Sequence, residues 1–152
     1  MLASVYVPNG GKDFVAKMEF MDALRGYAEG VHERGRHLVL CGAVNIAREE
    51  RDVHPKERKP NAIGQRPDER EAFARLLACG LVDVGRALDP DNDALFTWWA
   101  PWRNLRQRNI GWRLDYVLAS EPIARSASAC VSLREFGTSD HAPVVTTFDG
   151  PW

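Results

Sequence analysis

The run His37-Leu38-Val39-Leu40-Cys41-Gly42 constrains this chain more than any other stretch. Four consecutive apolar residues leave no polar face for water, so the run reads as a strand covered on both sides, central in a sheet. A sheet with such a strand needs a layer on each face. The chain offers one just upstream. From Phe14 to about Val31, apolar residues fall at Phe14, Met18, Met21, Leu24, Tyr27, Ala28 and Val31, the spacing of a helix with one buried stripe. Lys17, Glu19, Asp22, Arg25 and Glu29 occupy the other positions and are expected on the solvated face. Gly35 separates this helix from the strand.

The chain opens in a strand, with Leu2, Ser4 and Tyr6 alternating with Ala3, Val5 and Val7, and Pro8-Asn9-Gly10-Gly11 turns it. A start of this kind fits either a plain strand or a Met1 lying inside a longer ancestral domain. Residues Arg48 to Pro67 are charged and carry Pro55, Pro60 and Gly64, which reads as a long, partly mobile surface loop. A second helix starts at Pro67, with Asp68, Glu69 and Glu71 in its first turn, shows the stripe Phe73, Leu76, Leu77, and ends at Gly80. Leu81 to Val84 is short and extended. Strand candidates then dominate: Phe96–Trp99, Arg113–Ala119, about Ser128 to Arg134, and Val144–Phe148. The class is α/β, a mixed, mostly antiparallel sheet with helices on one face.

At 152 residues this is a single domain's worth of chain, residues 1–152. A formal net charge of -1 gives no bulk argument for a nucleic-acid partner, so any basic surface must be local. The three cysteines, Cys41, Cys79 and Cys130, are odd in number and lack metal spacing, which fits free thiols in a reducing, cytoplasmic setting. No apolar run reaches membrane-spanning length, so no membrane partner is expected.

Several residues carry chemistry. In Gly137-Thr138-Ser139-Asp140-His141-Ala142-Pro143, a carboxylate and an imidazole stand side by side on a turn before a strand. Asp115 lies within the apolar run Arg113-Leu114-Asp115-Tyr116-Val117-Leu118, where an unpaired carboxylate is costly. Its partner is either Arg113 or backbone, a structural role, or His141, whose protonated form it would favour; spacing does not decide. Gly42-Ala43-Val44-Asn45 ends the central strand, where ligands sit in open α/β sheets, and positions 43 and 45 share a face if the extended geometry continues. Tyr6 ends the first strand and either reaches the same crevice or is an ordinary strand aromatic. The segment from Phe96 to Arg113 holds four of the chain's five tryptophans and four arginines. Arginine clamps phosphate and indole stacks on bases, so this interleaving favours a nucleic-acid surface over core tryptophans beside a solvated loop.

These stretches together resemble the second half of the exonuclease III family of Mg2+-dependent abasic-site endonucleases, within the wider endonuclease/exonuclease/phosphatase fold. The matching pieces, in family order, are Val5-Tyr6-Val7-Pro8-Asn9-Gly10, Leu40-Cys41-Gly42-Ala43-Val44-Asn45-Ile46, Gly80-Leu81-Val82-Asp83, Phe96-Thr97-Trp98-Trp99, Arg113 to Ser120 and Ser139 to Val144. The resemblance implies half of a four-layer α/β sandwich with its site between the tops of two sheets. It implies that Tyr6 contacts the scissile phosphate and Asn45 orients the attacking water. Asp115 would position His141, which would bind the phosphate oxygens, and Asp140, with Asn45, would sit at the metal, Mg2+ or alternatively Mn2+. Asn9, Trp98, Trp102, Arg103, Arg106 and Arg113 would meet duplex DNA carrying abasic sites or 3′ ends, with Trp98 lining the pocket for the base-less sugar.

Two departures qualify this. The family's Gly-Asp-x-Asn pattern is Gly42-Ala43-Val44-Asn45 here, so the water-activating carboxylate is missing, a loss of about 10²–10⁴ in rate for a general base. The family's N-terminal half, with its metal-holding Glu, has no counterpart. The expectation is a nuclease inactive as written, with an apolar sheet face left for self-association or for an N-terminal half supplied by another chain. Two alternatives stand beside it: a non-catalytic DNA-binding or interaction module on the same fold, and a phosphodiesterase with another substrate.

Overall fold

A computed structural model describes residues 1–150. The strand expected over His37–Gly42 is β2 (Val39–Ala43), and it lies inside a four-stranded sheet with β1 (Leu2–Tyr6), β3 (Leu81–Asp83) and β4 (Asp115–Ser120), in the order β1-β2-β4-β3. β1 runs parallel to β2, while β2–β4 and β3–β4 are antiparallel. The parallel pair is joined by α1 (Phe14–Glu33), as a crossover between parallel strands requires.

Asp13 caps α1, its Oδ1 accepting from the Ala16 N–H at 2.9 Å. The helix lays Met21, Leu24, Ala28 and Val31 on one face of the sheet, where Leu40, Tyr116, Leu118 and Leu81 meet them. α2 (Pro67–Ala78) adds Ala72, Phe73 and Leu76 to the same core. Burying side chains such as Leu40 stabilises the fold by about 1.5–3 kcal/mol each. Two positions depart from the simple stripe. Tyr27 is 42% exposed, and Lys17, expected in solvent, is fully buried because its ammonium is consumed by oxygens inside the fold.

The other sheet face is covered by β5 (Ala127–Ser132) and β6 (Val144–Phe148), an antiparallel pair, with the short helices α3 (Val84–Leu88) and α4 (Glu121–Ala124). Val39, Cys41, Val117 and Ala119 pack there against Cys130, Val144, Phe148, Val84 and Ile123. This cover stops short of β1, where Leu2 and Tyr6 are 74% and 67% exposed; the face expected to be bare is packed over β2 and β4, and on the sheet's edge these two side chains stay open.

Gly42 is required where it stands. Its φ is +132°, and a Cβ there would lie 2.0 Å from the Val5 carbonyl oxygen of the neighbouring strand. Two sequence readings change. Residues 48–67 are anchored by 3-10 turns at Glu50–Asp52 and Pro55–Glu57, with Asp52, Val53 and Gln65 buried. Phe96–Trp99 is not a strand: the Thr97 and Trp98 N–H groups converge on one carbonyl, that of Trp112, which leaves single bridges rather than a ladder.

Candidate active site

The sheet register assembles the site. Tyr6 pairs with Ala43 across β1–β2, and Ala43 pairs with Asp115 across β2–β4, so the three stand in one row. Residues directly opposite one another project from the same face. Ala43 therefore occupies the middle of the row, between a phenol and a carboxylate.

His141 completes the row from the turn before β6. Its Nδ1 lies 2.8 Å from Asp115 Oδ2. A carboxylate only accepts, so Nδ1 carries the proton. The hydrogen bond to Asp115 raises the His141 pKa above its ordinary value; partial burial opposes it, and the charges of Asp115 and Asp140 add to it. Asp115 is thus paired with His141 and not with Arg113. Thr97 holds the carboxylate from behind, its Oγ1 donating to Asp115 Oδ2 at 2.7 Å and accepting from the Leu114 and Asp115 N–H groups, both at 3.0 Å. That hydroxyl has no hydrogen-bonding capacity left over. Thr97 was not singled out from the sequence; its only signal is its place next to Trp98.

Asn45 is buried beside the row in the left-handed region, φ +56°, with its Nδ2 donating to the Val7 carbonyl at 2.7 Å. That turn ties the end of β2 to the segment after β1. Asp140 is exposed, and its Oδ2 accepts from Trp98 Nε1 at 2.9 Å. The Trp98 ring meets Trp112 edge-on at 5.8 Å and lies 6.5 Å from the His141 ring. Trp98 therefore stands against the Asp140-His141 turn. Among the described residues, no group of three or more His, Cys, Asp or Glu side chains is arranged to hold a metal ion.

The remaining candidates divide. Asn9 is exposed at the turn after β1, and its Oδ1 accepts from the Gly11 N–H. Trp102 is 58% exposed and Arg103 is exposed beside it. With Asp140 and Ser139 they border a cleft of about 430 Å³ between two loops. A larger groove of about 680 Å³, lined by Phe96, Trp99, Leu133 and Phe136, contains none of the residues of the row. Arg106 is half-buried and grips the carbonyls of Arg134, Phe136 and Ser139, so its guanidinium braces the turn that carries Asp140 and His141.

Arg113 is a correction. It is 4% exposed, clamped by Asp83 at 2.8 and 2.5 Å, with Asp52 at 3.6 Å. Burial pulls its pKa down, but the two carboxylates outweigh this and raise it. A guanidinium sealed in this way cannot reach DNA; a basic-aromatic pattern alone does not distinguish a surface arginine from one with acids waiting beneath it.

The Endonuclease/Exonuclease/phosphatase family profile matches residues 4–141. The chain belongs to this family. An exodeoxyribonuclease of Bacillus subtilis is 37% identical over 146 residues, covering 93% of this chain and 57% of the relative. The DNA repair nuclease APEX1 of Danio rerio is 38% identical over 149 residues, covering 94% of this chain and 47% of its own. Among solved structures, the 3′ phosphatase NExo from Neisseria bound to a product DNA hairpin superposes with a TM-score of 0.90 at 32% identity, over 97% of this chain and 60% of that one. An AP endonuclease from Archaeoglobus fulgidus gives 0.86 at 28% identity, over 98% and 62%. The chain thus spans roughly half the length of these two curated relatives, and it carries the α/β fold of its solved neighbours.

Proposed function

We propose that this chain carries the phosphate-gripping part of an exonuclease III-type site and is inactive as written. Its substrate class would be duplex DNA with abasic sites or 3′ ends. The single observation behind the reading is the row Tyr6, Ala43, Asp115, closed by His141 on Asp115 at 2.8 Å. An imidazolium held by a carboxylate offsets the charge that grows on phosphate oxygens during hydrolysis. The Tyr6 hydroxyl is exposed at the other end of the row and supplies a second donor. Asn45 would orient water, but the middle position is a methyl group, so no side chain there takes a proton from that water.

The family implies Mg2+, with Mn2+ as the alternative. The residues present do not by themselves fit an ion: among the described residues no three His, Cys, Asp or Glu side chains stand together, and the middle of the row is a methyl group. No step of the proposal runs through the metal. The exposed Leu2 and Tyr6 on β1 support a covering partner, either an N-terminal half on another polypeptide or a second copy. The chain would act as one unit, and its three free cysteines support a reducing, cytoplasmic setting.

A second reading, a non-catalytic DNA-binding module, is favoured by one specific observation: Trp102 and Arg103 remain exposed while the middle of the row is inert. Fluorescence anisotropy with an abasic duplex, alongside a cleavage assay in Mg2+, tests both. Salt-sensitive binding that Tyr6→Phe and His141→Ala weaken supports the site; binding that only Trp102→Ala weakens supports the module. No binding at low salt would refute both.

A further inference from the structure

Lys17 on α1 and Glu69 on α2 are both fully buried and meet at 2.5 Å. The Lys17 ammonium has three donors, and each has a partner: Glu69 Oε1, the Asn9 carbonyl at 3.0 Å and the Asn45 carbonyl at 2.8 Å. The other oxygen of Glu69 accepts from the Gly64 and Arg66 N–H groups at 2.7 and 3.1 Å. One ion pair thus ties together the turn after β1, the turn after β2 and the entry to α2.

Stability alone does not explain such a pair. Replacing a buried ion pair by apolar residues of similar volume is often neutral or stabilising. The geometry does: Asn45 sits at φ +56°, its carbonyl lies outside the sheet ladder and needs a donor, and the long Lys17 side chain from α1 supplies one at 2.8 Å. Tyr6 ends β1 and Asn9 follows it, Ala43 ends β2 and Asn45 follows it, so the two strand ends and their turns carry half of the candidate site.

We propose that Lys17 and Glu69 are a positioning pair for the active site: they fix the Asn9 and Asn45 turns relative to each other, and so set the spacing of Tyr6 and Asn45 about a bound phosphate. The proposal rests on the functional reading above for its consequence, but not for its geometry.

The test compares the double variant Lys17→Met/Glu69→Gln with Leu24→Ala, which opens a cavity under the same helix away from these turns. Two readouts are taken. The first is the side-chain amide signals of Asn45 and Asn9 in nitrogen-15-labelled protein. The second is the kcat and KM split for abasic-duplex cleavage in an Ala43→Asp background. The double variant should displace or broaden both asparagine signals and lower kcat by about 10²-fold with little change in KM, since small misplacements cost about that much. Leu24→Ala, melting at a lower temperature, should leave both readouts in place. If the double variant does not fold, Glu69→Gln alone should give the same pattern at smaller size. Asparagine signals unmoved by loss of the pair, or moved equally by Leu24→Ala, would overturn the proposal. If the Ala43→Asp background does not cleave DNA, the functional reading fails at that step while the amide signals still decide the positioning role.

Discussion

Ala43→Asp restores the carboxylate of the family pattern, and it should do so at a cost in stability. Ala43 lies directly opposite Asp115 in the register of β2 and β4. The Cβ atoms of such a pair are ~5 Å apart, and two unit charges at that distance repel by about 3 kcal/mol at an effective dielectric constant near 20. His141, bonded to Asp115, offsets part of this while it is protonated. A net loss of about 1–2 kcal/mol near neutral pH follows, or roughly 2–8 °C in Tm for a chain of this size. The sign fixes the pH dependence. Repulsion raises the folded-state pKa of the new carboxylate above its unfolded value, so the penalty is absent at acid pH, where it is protonated in both states. The penalty grows as pH rises through the unfolded pKa and is complete above the folded one. Thermal melts of the parent and Ala43→Asp chains, in chelator, should nearly coincide at acid pH and separate at neutral pH. An equal gap at both, or a variant more stable at neutral pH, would refute the electrostatic account of the row.

Asp115→Asn removes the main cause of the raised His141 pKa, so the ring should titrate lower when followed by proton NMR; an unchanged midpoint would show that Asp115 is not that cause. Because the folded-state pKa is raised, the pair's contribution is fully present below the unfolded histidine pKa and lost as pH rises through the folded value. The melting penalty of Asp115→Asn should therefore shrink in alkali. Gly42→Ala should cost about 3–5 kcal/mol in urea unfolding, combining a φ of +132° with a methyl group 2.0 Å from the Val5 carbonyl oxygen. A loss below about 1 kcal/mol would mean that β1 slides away easily.

Most of the fold was legible because periodicity reports burial. The stripe from Met21 to Val31 and the run from Leu38 to Gly42 each name the layer they need. Lys17 was misread for the same reason: periodicity assigns a charged residue to solvent, and nothing local reveals that Glu69, far along the chain, waits inside. Arg113, just before β4, and Asp83, at the end of β3, are the same lesson. The site was legible in its parts but not in its assembly. Tyr6, Ala43 and Asp115 become neighbours only through strand register, which is a property of three strands together. Thr97 stayed hidden because a threonine hydroxyl that completes a carboxylate's hydrogen bonds looks, in sequence, like any strand threonine.

The most direct measurement is cleavage of an abasic-site duplex in Mg2+ by this chain and by its Ala43→Asp variant, at equal concentration and below the melting temperature of both. The account predicts that the variant cuts and the parent does not, because the new carboxylate supplies both the proton acceptor and the acidic metal contact that the row lacks. Equal rates, at any level, would contradict the claim that Ala43 is what silences the site.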